Sequence, residues 1–284
     1  MSGPMTAPHE DEILVWRTNR LARLSGPDGW LSVVGLVWLE EGDNPVGSDA
    51  ANRVVLPGAP DRVGTISIEE GSAVATFEPG SGVTVDGREV TRVDLADDST
   101  AAPTLLRLGS LTFYLIRRDE QLAVRIKDAR SQARSSFSGI DNYPIAEAWR
   151  LEARFEPYDP PKVFRVPAAL GIEETYAVPG ALAFEHKSAT HRLDAFLEEG
   201  ETDLFLVFGD LTNASETYGG GRFLYALPPD ETGIVVVDFN KAYNPPCVFT
   251  PFATCPLPPP QNRLSIRVEA GEKLYRGPTV ASFV

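Results

Sequence analysis

The sequence is poor in cysteine and histidine, and each shortage closes off a class of function. Two cysteines in 284 residues, Cys247 and Cys255, cannot build the disulfide framework of a small secreted domain. Three histidines, His9, His186 and His191, leave few bases for a Ser-His-Asp triad, and no G-x-S-x-G elbow or S-x-x-K set accompanies them. Neither G-x-x-x-x-G-K-[ST] nor a G-x-G-x-x-G between strand and helix occurs, so no cofactor is expected. Basic charge is in deficit: 26 Lys and Arg face 40 Asp and Glu, a net charge of -14. That field repels nucleic acid and anionic membrane surfaces at long range, and neither is an expected partner. No apolar run reaches the ~18 residues that span a bilayer. The opening MSGPMTAPHEDE has neither the basic nor the apolar region of a secretory signal, so a soluble, cytoplasmic chain is expected.

Hydrophobic residues make up 43% of the chain, enough for a sizeable core. Helix is scarce. Between Glu10 and Leu24, the residues Ile13, Trp16, Arg17, Arg20, Leu21 and Leu24 recur at three- and four-residue intervals and predict one amphipathic helix, stopped by Gly26-Pro27. The run WLSVVGLVWLEEGDN reads as a buried strand and hairpin corner. Short strand-like runs follow at Arg53 to Leu56, Gly64 to Glu69, Ala73 to Glu78, Val83 to Val85, Glu89 to Asp94, Thr104 to Leu108, Leu111 to Arg117 and Gln121 to Ile126. Asp86-Gly87 is the strongest hairpin signal, because glycine supplies the positive φ of a type I′ turn. The second half repeats the style at Glu147 to Glu156, Lys162 to Pro167, Glu173 to Val178, Leu182 to His186, His191 to Phe196, Asp203 to Phe208, Arg222 to Ala226, Gly233 to Phe239 and Leu264 to Glu269. The three valines after Gly233 predict a strand covered on both faces. The expected fold is mainly β: two antiparallel β sandwich- or barrel-like halves with one short N-terminal helix. Its boundaries run 1–27 for the helix and lead-in, 28–130 for the first sandwich, 131–146 for a linker and 147–284 for the second half with its Pro-rich loop.

Polar residues concentrate between Asp210 and Lys273. Asp238 and Asn240 stand two apart at a strand end, so both project to one side, and Tyr243 and Asn244 follow on a loop braced by Pro245-Pro246. Gly219-Gly220-Gly221 before Arg222 offers either an anion cradle or a tight turn. A small polar ligand in a pocket walled by Glu216, Tyr218, Arg222, Asp238, Asn240, Tyr243 and Asn244 is the leading expectation. In the competing reading Asp238 caps loop amides, and Arg222 pairs with Glu216 or Asp238 to tie hairpins together. Carboxylate-only hydrolysis through Asp210, Glu216 or Asp238 stays open. A two-residue turn at Ser188-Ala189 would set His186 opposite His191, yet no C-x-x-C or H-E-x-x-H spacing supports a metal site, so no metal is expected. The cysteines read as buried and inert. Two alternatives use other surfaces: the first sandwich as a protein-interaction module, and loop 244–260 as the contact of a homo-oligomeric scaffold.

Gly29 to Leu36, Glu216-Thr217-Tyr218 with Gly220 to Leu224, Asp238 to Cys247 and Ala270 to Lys273 resemble a bacterial and archaeal family described only as a domain of unknown function. That resemblance runs over nearly the whole chain and implies no activity. Gly47-Ser48-Asp49 with Val54 to Leu56, and Val83 to Gly87, are similar to the skeleton of forkhead-associated phosphopeptide-binding sandwiches. Those domains grip phosphothreonine through an Arg and a Ser-x-x-His set, and all three histidines here lie outside this segment. The similarity therefore implies architecture alone.

Overall fold

The structure, a computed structural model, describes residues 7–167, 173–198 and 200–282; residues 1–6 of the lead-in lie outside them. The chain is mainly β and divides into two compact units. One gathers the residues up to Arg23 with Ser138–Phe249 and Ala253–Gly277; the other holds Leu24–Phe137, Thr250–Phe252 and the residues from Pro278 on.

The chain begins with helix α1 (Ala7–Ser25). The unit that starts at Leu24 then carries β1 (Val33–Trp38), β2 (Gly42–Gly47), β3 (Val54–Val55), β4 (Gly64–Glu69), β5 (Ser72–Phe77), β6 (Thr84–Val85), β7 (Arg88–Glu89), β8 (Arg92–Asp94), β9 (Leu106–Leu108), β10 (Leu111–Arg118) and β11 (Gln121–Asp128), followed by the single-turn helix α2 (Gln132–Ser135). Two open sheets result, ordered β1-β11-β10-β9-β6-β7 and β3-β2-β4-β5-β8. Pairing is antiparallel except between β2 and β3. The sheets share one core: Val46, Ile66, Ala75 and Phe77 from one meet Phe113, Leu115, Val124 and Ile126 from the other. The alternation of β4, buried at Gly64, Ile66 and Ile68, is what a sandwich strand with one face to water requires. The β6–β7 turn takes the conformation its sequence predicts, with φ of 49° at Asp86 and 75° at Gly87.

The other unit is built on one six-stranded antiparallel sheet. Its strands are β12 (Arg150–Pro167), β13 (Glu173–His186), β14 (Ala189–Leu197), β15 (Leu204–Phe208), β16 (Arg222–Ala226) and β17 (Ile234–Asp238), in the order β16-β15-β14-β13-β12-β17. Leu182, Phe184, Leu193, Leu206, Leu224 and Val237 pack one face against Phe239, Leu264 and Val268 from the loops that follow β17.

Four sequence expectations are corrected here. The two short strands expected on each side of Asp159 and of Pro179 are two long ones. Four residues of β12, from Tyr158 to Pro161, bulge between the pairs Pro157↔Gly180 and Lys162↔Val178, and β13 slips against β14 at the same place. Prolines at 157, 160, 161 and 179 remove ladder donors locally, but pairing resumes beyond them. The β17 strand is an edge, and Val236 is 40% exposed while Val235 and Val237 are buried. Residues 264–269 form no strand. The β13–β14 turn is Lys187-Ser188, with φ of 50° and 62°. His191 therefore lies across from Phe184 and His186 across from Ala189, so the imidazoles are not opposite.

Candidate functional site

The seven residues singled out between 210 and 273 separate into an interior network and a more open rim. Arg222, Asn240 and Asn244 are fully buried. The Arg222 guanidinium donates from Nη2 to Asp210 Oδ2 at 2.7 Å and to the Val268 carbonyl at 2.8 Å, and from Nη1 to the Ala270 carbonyl. Its ion-pair partner is thus Asp210, neither Glu216 nor Asp238. Asp210 completes its shell by accepting from the amides of Thr212 at 2.8 Å and Val268 at 3.2 Å.

A second cluster forms around α1. His9, Ile13, Arg20 and Leu24 are buried at helical spacing along one face, and full burial of an Ile side chain contributes about 1.5–3 kcal/mol. The polar members of that face reach fixed partners. His9 Nε2 meets Asp238 Oδ2 at 2.8 Å, Arg17 donates to the Tyr143 carbonyl at 3.0 Å, and Arg20 donates to Glu272 Oε1 at 3.1 Å and to the Asn244 carbonyl at 2.9 Å. Asp238 Oδ1 also accepts from the backbone amide of Asn240 at 3.0 Å and its side chain at 2.8 Å, capping a 3₁₀ turn as a loop carboxylate does. Burial lowers Arg17 from its ordinary range and raises the Tyr243 phenol. These groups hold each other and present no open wall.

Glu216 and Tyr218 are more accessible. Glu216 accepts from Tyr143 Oη at 2.7 Å and pairs with Arg267, and the Tyr143 hydrogen bond is the first cause of its lowered pKa. Tyr218 lies 3.7 Å from Cys247 Sγ, and burial raises its phenol. The three glycines act as geometry. Gly221 has φ of 92°, and a Cβ there would stand 2.4 Å from Pro258 Cγ and 2.6 Å from the Phe208 carbonyl. His186 stacks on Trp149 at 4.3 Å. Among the described residues, no three His, Cys, Asp or Glu side chains gather as metal ligands.

The sheet supplies an open cavity that the sequence reading did not include. It has a volume of about 340 Å³ and is lined by Tyr158, Lys162 and Phe164 of β12, Arg192 and Asp194 of β14, and Gln261. The bulge in β12 carries Tyr158 out of the ladder, and the alternation of β14 puts Arg192 and Asp194 on the same side. Asp194 is 5% exposed and fixes the floor, accepting from Tyr158 Oη at 2.7 Å and Gln261 Nε2 at 3.2 Å. Lys162 Nζ stands 3.5 Å from the centroid of the Tyr158 ring and 5.9 Å from that of Phe164, a cation–π arrangement. Arg192 reaches Glu156 Oε2 at 2.8 Å. Among the described residues no carboxylate lies within salt-bridge distance of Lys162. The other unit has a cavity of about 410 Å³ beside Asp97 and Arg117, but those two charges pair with each other at 2.7 Å.

Residues 135–273 match the model of a family described as "Protein of unknown function (DUF1684)". The match takes in the motifs at Glu216, at Asp238 to Cys247 and at Ala270 to Lys273, and leaves out Gly29 to Leu36. No curated protein matches the chain. Among solved structures, an uncharacterized protein of Haloarcula marismortui is 28% identical, with 49% of this chain and 78% of that chain covered and a TM-score of 0.42. An FHA domain from work on phosphothreonine-dependent interactions is 21% identical over 32% of this chain and 92% of its own, with a TM-score of 0.23. The FhaA FHA domain, solved with the intracellular domain of Rv3910, is 22% identical over 32% of this chain and 96% of its own, also with a TM-score of 0.23. No helix among the described residues is long and apolar enough to cross a membrane.

Proposed function

We propose that this chain binds a small organic anion in the cavity between Tyr158, Lys162 and Arg192. The observation that carries this reading is the Lys162 ammonium, held against an aromatic ring in that cavity and in no ion pair among the described residues, while the one carboxylate of the lining, Asp194, accepts from Tyr158 and Gln261. A chain of net charge -14 repels anions over most of its surface, so a cation that no carboxylate of the described residues pairs with is where one would be attracted. The Phe164 and Tyr158 rings add flat apolar area for the uncharged part of the ligand. Small carboxylates and phosphate monoesters share the required features, and Arg192 offers either of them a second donor. Asp194 serves by locking Tyr158 and Gln261 in place. Hydrolysis is supported less, because Asp210, Glu216 and Asp238 are each engaged by partners within the fold.

The test is thermal unfolding of the chain against a panel of small carboxylates and phosphate esters. A ligand at one hundred times its Kd stabilises by about 2.7 kcal/mol. Lys162→Met, which keeps the stem and removes the charge, is expected to weaken any hit at least about tenfold, or about 1.4 kcal/mol. A panel without hits, or a hit that binds Lys162→Met equally well, rejects the proposal.

A further inference from the structure

The two cysteines, expected to be inert, are brought together on the loop after β17, away from the cavity of Tyr158. The Cys247 amide donates to Cys255 Sγ at 3.2 Å. Neither is in a disulfide; Cys247 is partly exposed and Cys255 is buried. The amide contact sets the Cys255 sulfur against the backbone of Cys247, and a disulfide asks for closely approaching Cys residues. Tyr218 closes the third side, its Oη 3.7 Å from Cys247 Sγ.

We propose that Cys247 and Cys255 form a peroxide-reactive dithiol, with Cys247 as the attacking sulfur and Cys255 as the resolving one. Exposure assigns the roles, because only Cys247 has a surface a peroxide can reach. In the first step the Cys247 thiolate attacks the terminal oxygen of a hydroperoxide. An S–O bond forms, the O–O bond breaks, and the leaving alkoxide or hydroxide takes a proton from water. In the second step Cys255 attacks the Cys247 sulfenic acid. The S–S bond forms, the S–O bond breaks, and the oxygen leaves as water with the Cys255 proton. Two electrons pass from the sulfurs to the peroxide, and a thiol reductant returns the disulfide to its starting state. The neighbours favour the first step. The Cys255 hydrogen bond, helped by Tyr218, holds the Cys247 thiol below its usual range. The Tyr218 phenol, raised by burial, stays protonated and able to donate to the thiolate.

The experiment uses the full chain and hydrogen peroxide at pH 7, with thiols titrated and peptides mapped by mass. Native protein is expected to lose both titratable thiols, to yield a 247–255 linked peptide, and to recover both thiols with dithiothreitol. Cys255→Ser should be trapped by dimedone at Cys247, whereas Cys247→Ser should neither link nor label, and Tyr218→Phe should oxidise more slowly. The proposal is overturned if both thiols survive peroxide that consumes free cysteine. It is equally overturned if Cys247 goes to sulfinic acid without a linked peptide, or if urea-unfolded chain links as fast as native chain. The native-versus-unfolded comparison needs only the unaltered protein, so it decides the matter even where a serine variant fails to fold.

Discussion

Removing the Arg222 charge tests the interior network most sharply. Both side chains of the Arg222–Asp210 pair are 0% exposed, so Arg222→Met leaves a carboxylate with no route to water. Breaking a buried pair from one side costs about 3–5 kcal/mol, a large share of the roughly 5–15 kcal/mol that stabilises a folded domain. Asp210 would keep the amides of Thr212 and Val268, while the carbonyls of Val268 and Ala270 would each lose a guanidinium donor. Asp210→Asn strands the guanidinium instead and should cost a similar amount. In the double variant no uncompensated charge remains, so its loss should fall short of the sum by about 2 kcal/mol, within the range seen for contacting residues. Native-state hydrogen exchange at the Phe223 and Leu224 amides reads the opening free energy of this unit directly. Each single variant should speed exchange there about 10²- to 10⁴-fold, at 1.36 kcal/mol per tenfold. Exchange at Phe113 and Val124, in the other unit, should hold steady. Single losses below about 1 kcal/mol, or strict additivity in the double variant, would refute the account of a desolvated, mutually dependent pair.

The remaining expectations concern a turn and a titration. Gly221→Ala places a methyl group against Pro258 and the Phe208 carbonyl at a φ of 92°, so a loss of about 1–3 kcal/mol is expected in urea unfolding, and a neutral result would refute the turn reading. His186 is held below the ordinary imidazole value of 6.5, first by burial and then by the charge of Lys187. A depressed pKa means that the unfolded chain takes up the proton first as pH falls. His186 therefore leaves stability intact above 6.5 and erodes it below that point, down to its folded pKa. Urea midpoints at successive pH values should show this slope, and His186→Gln should flatten it; an unchanged slope in the variant would assign the effect elsewhere.

The contrast between legible and hidden features follows from range. Asp86-Gly87 was readable because two adjacent residues decide the turn, and α1 was readable because its stripe repeats within 15 residues. The prolines around 157–161 were misleading for the same reason: they signal local interruption, whereas the partner strand β13 restores the ladder beyond them. The exposure of Val236 depends on β17 lying at a sheet edge, which no local pattern announces. Within the interior network, residue types were visible and partners were not. Arg222 has Glu216 six residues before it and Asp230 eight after, and only the fold selects Asp210. The cavity lining spans Tyr158 to Gln261, too far for spacing arguments. Its one sequence trace was the Tyr158-Asp159-Pro160-Pro161-Lys162 run, where an aspartate and two prolines separate an aromatic from a cation.

The docking of α1 also sets an order of events during synthesis. Arg20 leaves the ribosome 252 residues before Glu272, and His9 leaves 229 residues before Asp238. At roughly 5–20 residues per second, Arg20 waits about 13–50 s for its carboxylate. Throughout that interval Arg20 lacks its native carboxylate, and for most of it so does His9. The helix is thus made well before the residues that hold its polar face.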